Sequence, residues 1–224
     1  MKTATLTILT LFLSITAVFG QNSKDSLIVF IGEIIEVKFS PEEKKEEPVD
    51  TIIDGKDTDY VRHLSTSMDS RYIAKYKILQ LIQGTYKADT IEFVAFDHYG
   101  KPSFSKYKTV LLFVSISDGK LYHEKYQYFG LYLTKKGKWV SPYSTSDYNH
   151  PYKDKITVRP EKIEFTSEVS FPLDKLTKEQ IELWYPAPFY EIKNDRAIAI
   201  YGNYVADLFK LKQQTVLKAR GYYY

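Results

Sequence analysis

Residues 71–134 form the most strongly patterned part of this chain, and they constrain its fold more than any other segment. Apolar and polar side chains alternate along them in four runs of strand length, and short turns separate the runs. The run at 108–116 is the most apolar, which predicts a central strand. Asp118-Gly119, which follows that run, is a typical two-residue hairpin turn. The predicted strands are residues 72–79, 89–96, 108–116 and 120–134.

A further strand is predicted before this segment, at residues 26–38. Its first half is continuously apolar, and its second half brings in Glu33, Glu36 and Lys38. This pattern is typical of a strand that is buried on both faces at one end and on one face at the other. Gly32 in its middle indicates a bulge or a tight bend, as the closure of a barrel requires. Five strands with these spacings predict a small closed or partly closed β-barrel.

The strand sequences VFIGEIIEV, AKYKILQLIQG and YKTVLLFVS, in this order, resemble those of netrin-type domains, which are OB-like barrels related to the tissue inhibitors of metalloproteinases. The resemblance covers residues 27–140, about half of the chain. It implies a five-stranded OB-like barrel. Those inhibitors chelate the zinc of a protease with the amine and carbonyl of an N-terminal Cys. The matching position here is Gln21, and the chain has no cysteine, so neither that mechanism nor the family's disulfides can be carried over.

The start of the chain has the features of an export signal. Lys2 precedes an apolar run, and Val18 and Gly20 are small residues at the −3 and −1 positions of a cut before Gln21. We therefore expect a cleaved signal peptide at residues 1–20 and an exported protein, secreted or periplasmic. The apolar run is too short to span about 30 Å of hydrocarbon, so we expect no membrane span after cleavage. A chain without cysteine also has no thiol catalysis and no Cys-based zinc site.

Residues 40–66 interrupt the barrel domain, which we expect to cover residues 21–142. They are rich in charged and turn-forming residues, which predicts a long mobile loop. Asp54, Asp57 and Asp59 in this loop cluster the oxygen ligands that a hard cation such as calcium prefers. Their spacing does not match an EF-hand, and acids in loops are usually solvated, so these residues are weak metal candidates. The sequence indicates no cofactor.

The C-terminal extension, residues 143–224, carries helical patterns. Thr177-Lys178-Glu179-Gln180 is a capping box that predicts a helix at 177–184. Apolar residues then recur near helical spacing and predict a helix at 195–218 that packs on the barrel. A rival interpretation makes residues 197–201 (AIAIY) a strand before a shorter helix. The overall expectation is a mostly β fold with C-terminal helices (α+β): an OB-like barrel plus a helical tail.

No catalytic motif is present in the sequence. Asp97 and His98 lie in a predicted turn, and Glu124 lies on the last predicted barrel strand. These three are the weak candidates for a hydrolase whose acid and base lie far apart in sequence. His123 and Glu124 are neighbours on a strand, so they should point to opposite faces and make a poor acid–base pair.

Tyrosine and lysine side chains form the predicted binding surface, because a tyrosine can pack its ring and keep its hydroxyl in water. Regular alternation would place Tyr126 and Tyr128 on the same face of the last strand as Tyr122. Aromatics beside a basic groove can bind nucleic acid, but the formal charge of only +3 and the export signal argue against that. We expect an exported, non-catalytic binding module for a protein or a glycan; the alternatives are a hydrolase and a protease inhibitor that acts through loops. The predicted binding residues are Lys75, Lys77, Tyr122, Tyr126 and Tyr128.

Overall fold

The computed structural model describes residues 27–41, 49–54, 57–62 and 68–223, and for 49–54 and 57–62 it describes the backbone only. The predicted signal peptide at 1–20 lies outside these residues. The first seven strands in chain order are β1 (Leu27–Phe39), β2 (Val49–Asp54), β3 (Asp57–Arg62), β4 (Ser70–Gln83), β5 (Thr90–Asp97), β6 (Thr109–Ser117) and β7 (Lys120–Gly130).

Five of these strands close into a barrel in the order β1-β4-β5-β7-β6, with β6 paired back to β1. Neighbouring strands are antiparallel except β5 and β7, which are parallel. The closed five-stranded barrel is consistent with an OB-like fold, so the predicted fold class is confirmed. Because the barrel is closed, none of its five strands is left as an open edge.

The interior of the barrel is aromatic. Phe30, Tyr76 and Phe93 are buried inside it, together with Phe104 from a short 3-10 helix at Ser103–Lys106. The pairing of β1 with β4 shifts register at Gly32, which confirms the predicted bulge. A Cβ atom at Gly32 would lie 2.8 Å from the ring of Phe30, so only glycine leaves room for this packing.

The hairpin turn between β6 and β7 is also confirmed. Asp118 and Gly119 both have positive φ, 49° and 72°, as a type I′ turn requires. Ser117 and Lys120 pair directly across it.

The segment expected to be a loop at 40–66 contains a hairpin. β2 and β3 pair antiparallel from Val49 opposite Arg62 to Asp54 opposite Asp57. In the sequence, Gly55 follows Asp54 between two short runs that hold β-branched residues. This pattern can indicate a hairpin, but the charged residues around it favoured a loop. The side chains of Asp54, Asp57 and Asp59 lie outside the described part.

The second half of the chain forms small sheets and short helices beside the barrel. Its elements are β8 (Tyr132–Leu133), β9 (Trp139–Pro142), α1 (Thr145–Tyr148), β10 (Glu161–Lys162), β11 (Ser170–Pro172), α2 (Lys178–Trp184), β12 (Tyr190–Lys193), β13 (Arg196–Ala199), β14 (Tyr201–Tyr204), α3 (Val205–Gln214) and α4 (Val216–Ala219). One sheet has the order β10-β14-β9-β8, and another has the order β11-β13-β12. The last strand of the barrel ends at Gly130, and β8 and β9 belong to a separate sheet; the division into domains at 142 stays a prediction.

The predicted helix at 177–184 is confirmed as α2, whose capping box joins Thr177 and Gln180 in both directions. The predicted helix at 195–218 is wrong at residues 195–204, where the chain forms β13 and β14. The rival strand interpretation is confirmed because β13 pairs with two neighbours, β11 and β12, and these tertiary pairs outweigh helical spacing.

The two C-terminal helices cover the outer face of β1 and β6. Leu208 of α3 and Leu217 of α4 are buried against Val29 and Phe113, among other barrel residues. Lys212 of α3, only 5% exposed, donates to Asp147 and Gln127 at 2.5 and 2.8 Å. In the described part of the chain, no helix combines the length and apolar character that crossing a membrane would need.

Candidate functional site

A pocket of about 440 Å³ opens where β5 leaves the barrel, and we call it the aromatic pocket. Six of the side chains that line it carry rings: Phe96, Tyr99, Phe104, His123, Tyr126 and Tyr128. Asp97, Lys101, Pro102, Ser103 and Lys106 complete the lining. The residues come from the end of β5, the connection to β6 and the middle of β7.

A large bulge in β7 shapes one wall of this pocket. His123 pairs with Val114 and Tyr128 pairs with Leu112, so residues 124–127 of β7 stand opposite the single residue Phe113. Tyr126 within the bulge has a φ of 65°, which is uncommon for a residue with a side chain. The bulge therefore breaks the two-residue alternation of the strand.

The bulge also changes which residues share a face, so the predicted single tyrosine face is wrong. Tyr128 packs inside the barrel, where its ring centroid lies 6.1 Å from that of Phe104 and 6.0 Å from that of Tyr107. Tyr122 stays outside, where its ring stacks on Phe96 at 6.4 Å between centroids. Tyr126 is 46% exposed at the pocket opening.

Two contacts of Lys125 accompany the bulge. Its Nζ lies 2.5 Å from Asp69 Oδ2, in the segment that leads into β4, and 5.2 Å from the centroid of the Tyr126 ring. The hydrogen bond to Asp69 is the largest contribution that raises the pKa of Lys125. Lys125 thus ties the bulge to the segment that leads into β4.

His123 lies at the inner end of the aromatic pocket. Its ring packs against Phe93 and Phe104, with centroids 6.2 and 4.6 Å away. Its Nε2 lies 2.9 Å from the carbonyl oxygen of Gln127, which can only accept, so Nε2 carries the proton. Burial lowers the pKa of His123 to about 4, and the ring is neutral at pH 7.

In this neutral ring Nδ1 is an acceptor. Within the described part, the side-chain atoms buried without a hydrogen-bond partner are the hydroxyl oxygens of Tyr76 and Thr145. His123 Nδ1 is not one of them, and the hydrogen bond of this ring is made by Nε2. Nδ1 is therefore the atom that His123 can offer to a molecule in the pocket.

The polar groups around His123 are hydroxyls and one carboxyl. Asp97 is 7% exposed, and its Oδ1 accepts the backbone N–H of Tyr99 at 2.9 Å. Burial raises the pKa of Tyr128, so its hydroxyl remains a donor at neutral pH. Lys101 and Lys106 are exposed and line the opening.

The three weak catalytic candidates are not brought together. Asp97 lines the aromatic pocket, whereas His98 is exposed, with its Nδ1 3.2 Å from the carbonyl oxygen of Met68. Glu124 accepts hydrogen bonds from Arg220 and Tyr222 of the C-terminal tail, at 2.5 and 2.6 Å. Burial opposes ionisation of Glu124, but these hydrogen bonds outweigh it and lower its pKa. As predicted, His123 and Glu124 face opposite sides of the strand.

Of the predicted binding residues, Tyr126 and Tyr128 line the aromatic pocket, and Tyr122 lies behind its Phe96 wall. Lys75 and Lys77 are exposed on β4 and do not line it. Asp97, predicted as a catalytic candidate, lines the pocket as well, but sequence reasoning did not single out its other residues, chiefly Tyr99, Phe104 and His123. The sequence did hold one indication of this pocket, in the turn after β5. Aromatic and lysine residues lie there among Gly and Pro, and loops often carry functional residues.

A second pocket, of about 470 Å³, lies between the barrel and β8 and β9. Trp139, Leu131 and Leu133 line it beside Glu33 and Lys108, whose charged atoms are 3.3 Å apart. In the described part of the chain, no three acidic or histidine side chains are placed to hold a metal ion. No protein family model, no curated protein and no solved structure matches the chain.

Proposed function

We propose that this protein is an exported, non-catalytic binding module that holds a ligand or a partner group in the aromatic pocket. The observation that carries the proposal is the convergence of six ring side chains on one concavity. Its volume of about 440 Å³ falls within the range of roughly 300–1,000 Å³ that is usual for ligand pockets. A closed barrel is a rigid support for such a site, since binding residues need a scaffold that holds their geometry.

The chemistry of the pocket supports binding rather than catalysis. A general base works best when its pKa is near the working pH, and the pKa of His123 is about 4. The Nε2 hydrogen bond of His123 is to the backbone carbonyl of Gln127, so this bond does not orient the His123 ring towards Asp97 or Ser103. A hydrolase that used Asp97, His98 and Glu124 would need large rearrangements, because Glu124 is engaged by Arg220 and Tyr222.

Export and the netrin-type relationship belong to the same proposal. The export signal at the start of the sequence supports a protein that works outside the cytoplasm, and because the chain has no cysteine it would do so without disulfides. The closed five-stranded barrel, with its first strand bent at Gly32, supports a netrin-type relationship in fold. The function proposed here does not depend on that relationship.

An equilibrium binding screen tests the proposal. The chain without residues 1–20 would be probed with an oligosaccharide array and with a displayed library of short peptides. We expect ligands whose affinity falls about tenfold or more in Tyr126→Ala, because truncating an aromatic anchor typically costs about 2 kcal/mol. Tyr152→Ala is the matched control, since Tyr152 is 38% exposed and does not line the pocket.

Two outcomes would contradict the proposal. One is a set of ligands whose affinities are the same in Tyr126→Ala as in the parent chain. The other is turnover of a bound substrate that is lost in a pocket variant, which would make the pocket an active site.

A further inference from the structure

The two outermost rings of the aromatic pocket form an open platform. Tyr99 is 86% exposed and Tyr126 is 46% exposed. Their centroids are 6.5 Å apart and their planes are tilted by 36°. Such exposed rings offer an apolar face with a hydroxyl at the edge, which suits a ligand that is itself apolar on one face and polar at its edges.

The inner part of the pocket offers hydrogen-bonding groups of defined polarity. His123 Nδ1 is an acceptor because Nε2–H donates to Gln127. Asp97 supplies carboxyl oxygens, and the hydroxyls of Ser103 and Tyr128, which hydrogen-bond to each other, together keep one donor and several acceptor positions for a ligand. A ligand hydroxyl can donate a hydrogen bond to His123 Nδ1 or to Asp97, and it can donate to or accept from the hydroxyls of Ser103 and Tyr128. A ligand that offers only acceptors would leave His123 Nδ1 without a hydrogen bond.

The backbone around the pocket does not suit an extended peptide. A peptide that adds to a sheet needs a regular run of unpaired N–H and C=O groups along a strand. On the pocket side, β7 is interrupted by the bulge at 124–127, which includes a positive φ at Tyr126. The contacts on offer are therefore side-chain rings, hydroxyls and acceptors.

We propose that the ligand of the aromatic pocket is a saccharide, whose ring stacks on Tyr126 and Tyr99 while its hydroxyls bond to His123 Nδ1 and Asp97. This inference rests on the proposed binding function and names its ligand class. Lys101 and Lys106 at the opening can donate to ring substituents, whether these are hydroxyls or the carboxylate of an acidic sugar.

Isothermal titration calorimetry with defined oligosaccharides tests this inference. The probes are cello-, malto-, xylo- and chito-oligosaccharides for neutral sugars, and oligogalacturonides for acidic ones. We expect at least one series to bind, with an affinity that falls tenfold or more in Tyr126→Ala and in Asp97→Asn. Tyr152→Ala should bind like the parent chain, and thermal unfolding of each variant would show that it is folded.

The outcomes separate the ligand class from the binding function. If none of these saccharides binds while peptides bind in a manner that Tyr126→Ala abolishes, the saccharide inference is overturned and the proposed function stands. If saccharides bind with the same affinity to the parent, Tyr126→Ala and Asp97→Asn, the aromatic pocket is not their site and both proposals fail. If Lys101→Ala weakens only oligogalacturonides, the ligand is a saccharide with an acidic substituent, which supports the inference.

Discussion

His123 should make the stability of the fold depend on pH in the acid range. Its folded-state pKa of about 4 lies below the ordinary value of 6.5, so the folded protein favours the neutral ring. The contribution of the neutral His123 ring to the free energy of unfolding is fully present above pH 6.5 and is lost as the pH falls towards 4. From the two pKa values, linkage predicts a loss of about 2 kcal/mol in the free energy of unfolding between pH 7 and pH 5. Burial is the main cause, and the nearby charges of Glu124 and Arg220 act in opposite directions.

Urea unfolding, followed by tryptophan fluorescence at pH 7 and pH 5, measures this loss. His123→Phe removes the titrating group and keeps a ring between Phe93 and Phe104, so its loss between the two pH values should be smaller by about 2 kcal/mol. Leu217→Ala is the control, because it weakens packing on the far side of the barrel wall and leaves His123 in place. The reasoning is refuted if His123→Phe and Leu217→Ala lose the same free energy between pH 7 and pH 5.

The remaining predictions concern the C-terminal half. Leu217→Ala should lower the free energy of unfolding by about 3 kcal/mol, because the side chain is fully buried between α4 and the barrel; a loss below about 1 kcal/mol in urea unfolding would mean that α4 is not packed as described. Lys212→Met should cost about 3 kcal/mol because it leaves Asp147 without its buried partner, and Lys212→Met with Asp147→Asn should recover part of this loss; strictly additive losses would argue against the pair. Gly202→Ala should raise hydrogen exchange in β9, because the new Cβ would overlap the carbonyl oxygen of Ser141; unchanged exchange would show that the two strands are less closely paired.

The barrel could be predicted from the sequence because its signals are local. Alternating side chains mark the strands, Gly32 marks the bulge of β1, and Asp118-Gly119 marks the hairpin. The capping box at Thr177 likewise specifies where α2 begins. Each of these features depends on residues that are close together in the chain.

Other features depend on contacts that a single segment does not reveal. The apolar residues of 195–204 suit a helix face as well as a strand, and pairing with β11 and β12 decides for the strand. The bulge in β7 has no Gly or Pro to announce it, and it moves Tyr128 to the inner face. The aromatic pocket was therefore only partly predictable, since Tyr126 and Tyr128 meet Tyr99 and Phe104 only after the bulge and the 3-10 helix have formed.

Nuclear magnetic resonance of ring-labelled tyrosines tests the central claim, that the aromatic pocket is the binding site. The chain would be titrated with the tightest-binding oligosaccharide or peptide from the screens. We expect the ring resonances of Tyr99, Tyr126 and Tyr128 to shift in proportion to occupancy while that of Tyr152 does not move. Shifts centred on Tyr132, which lines the second pocket, would contradict the claim.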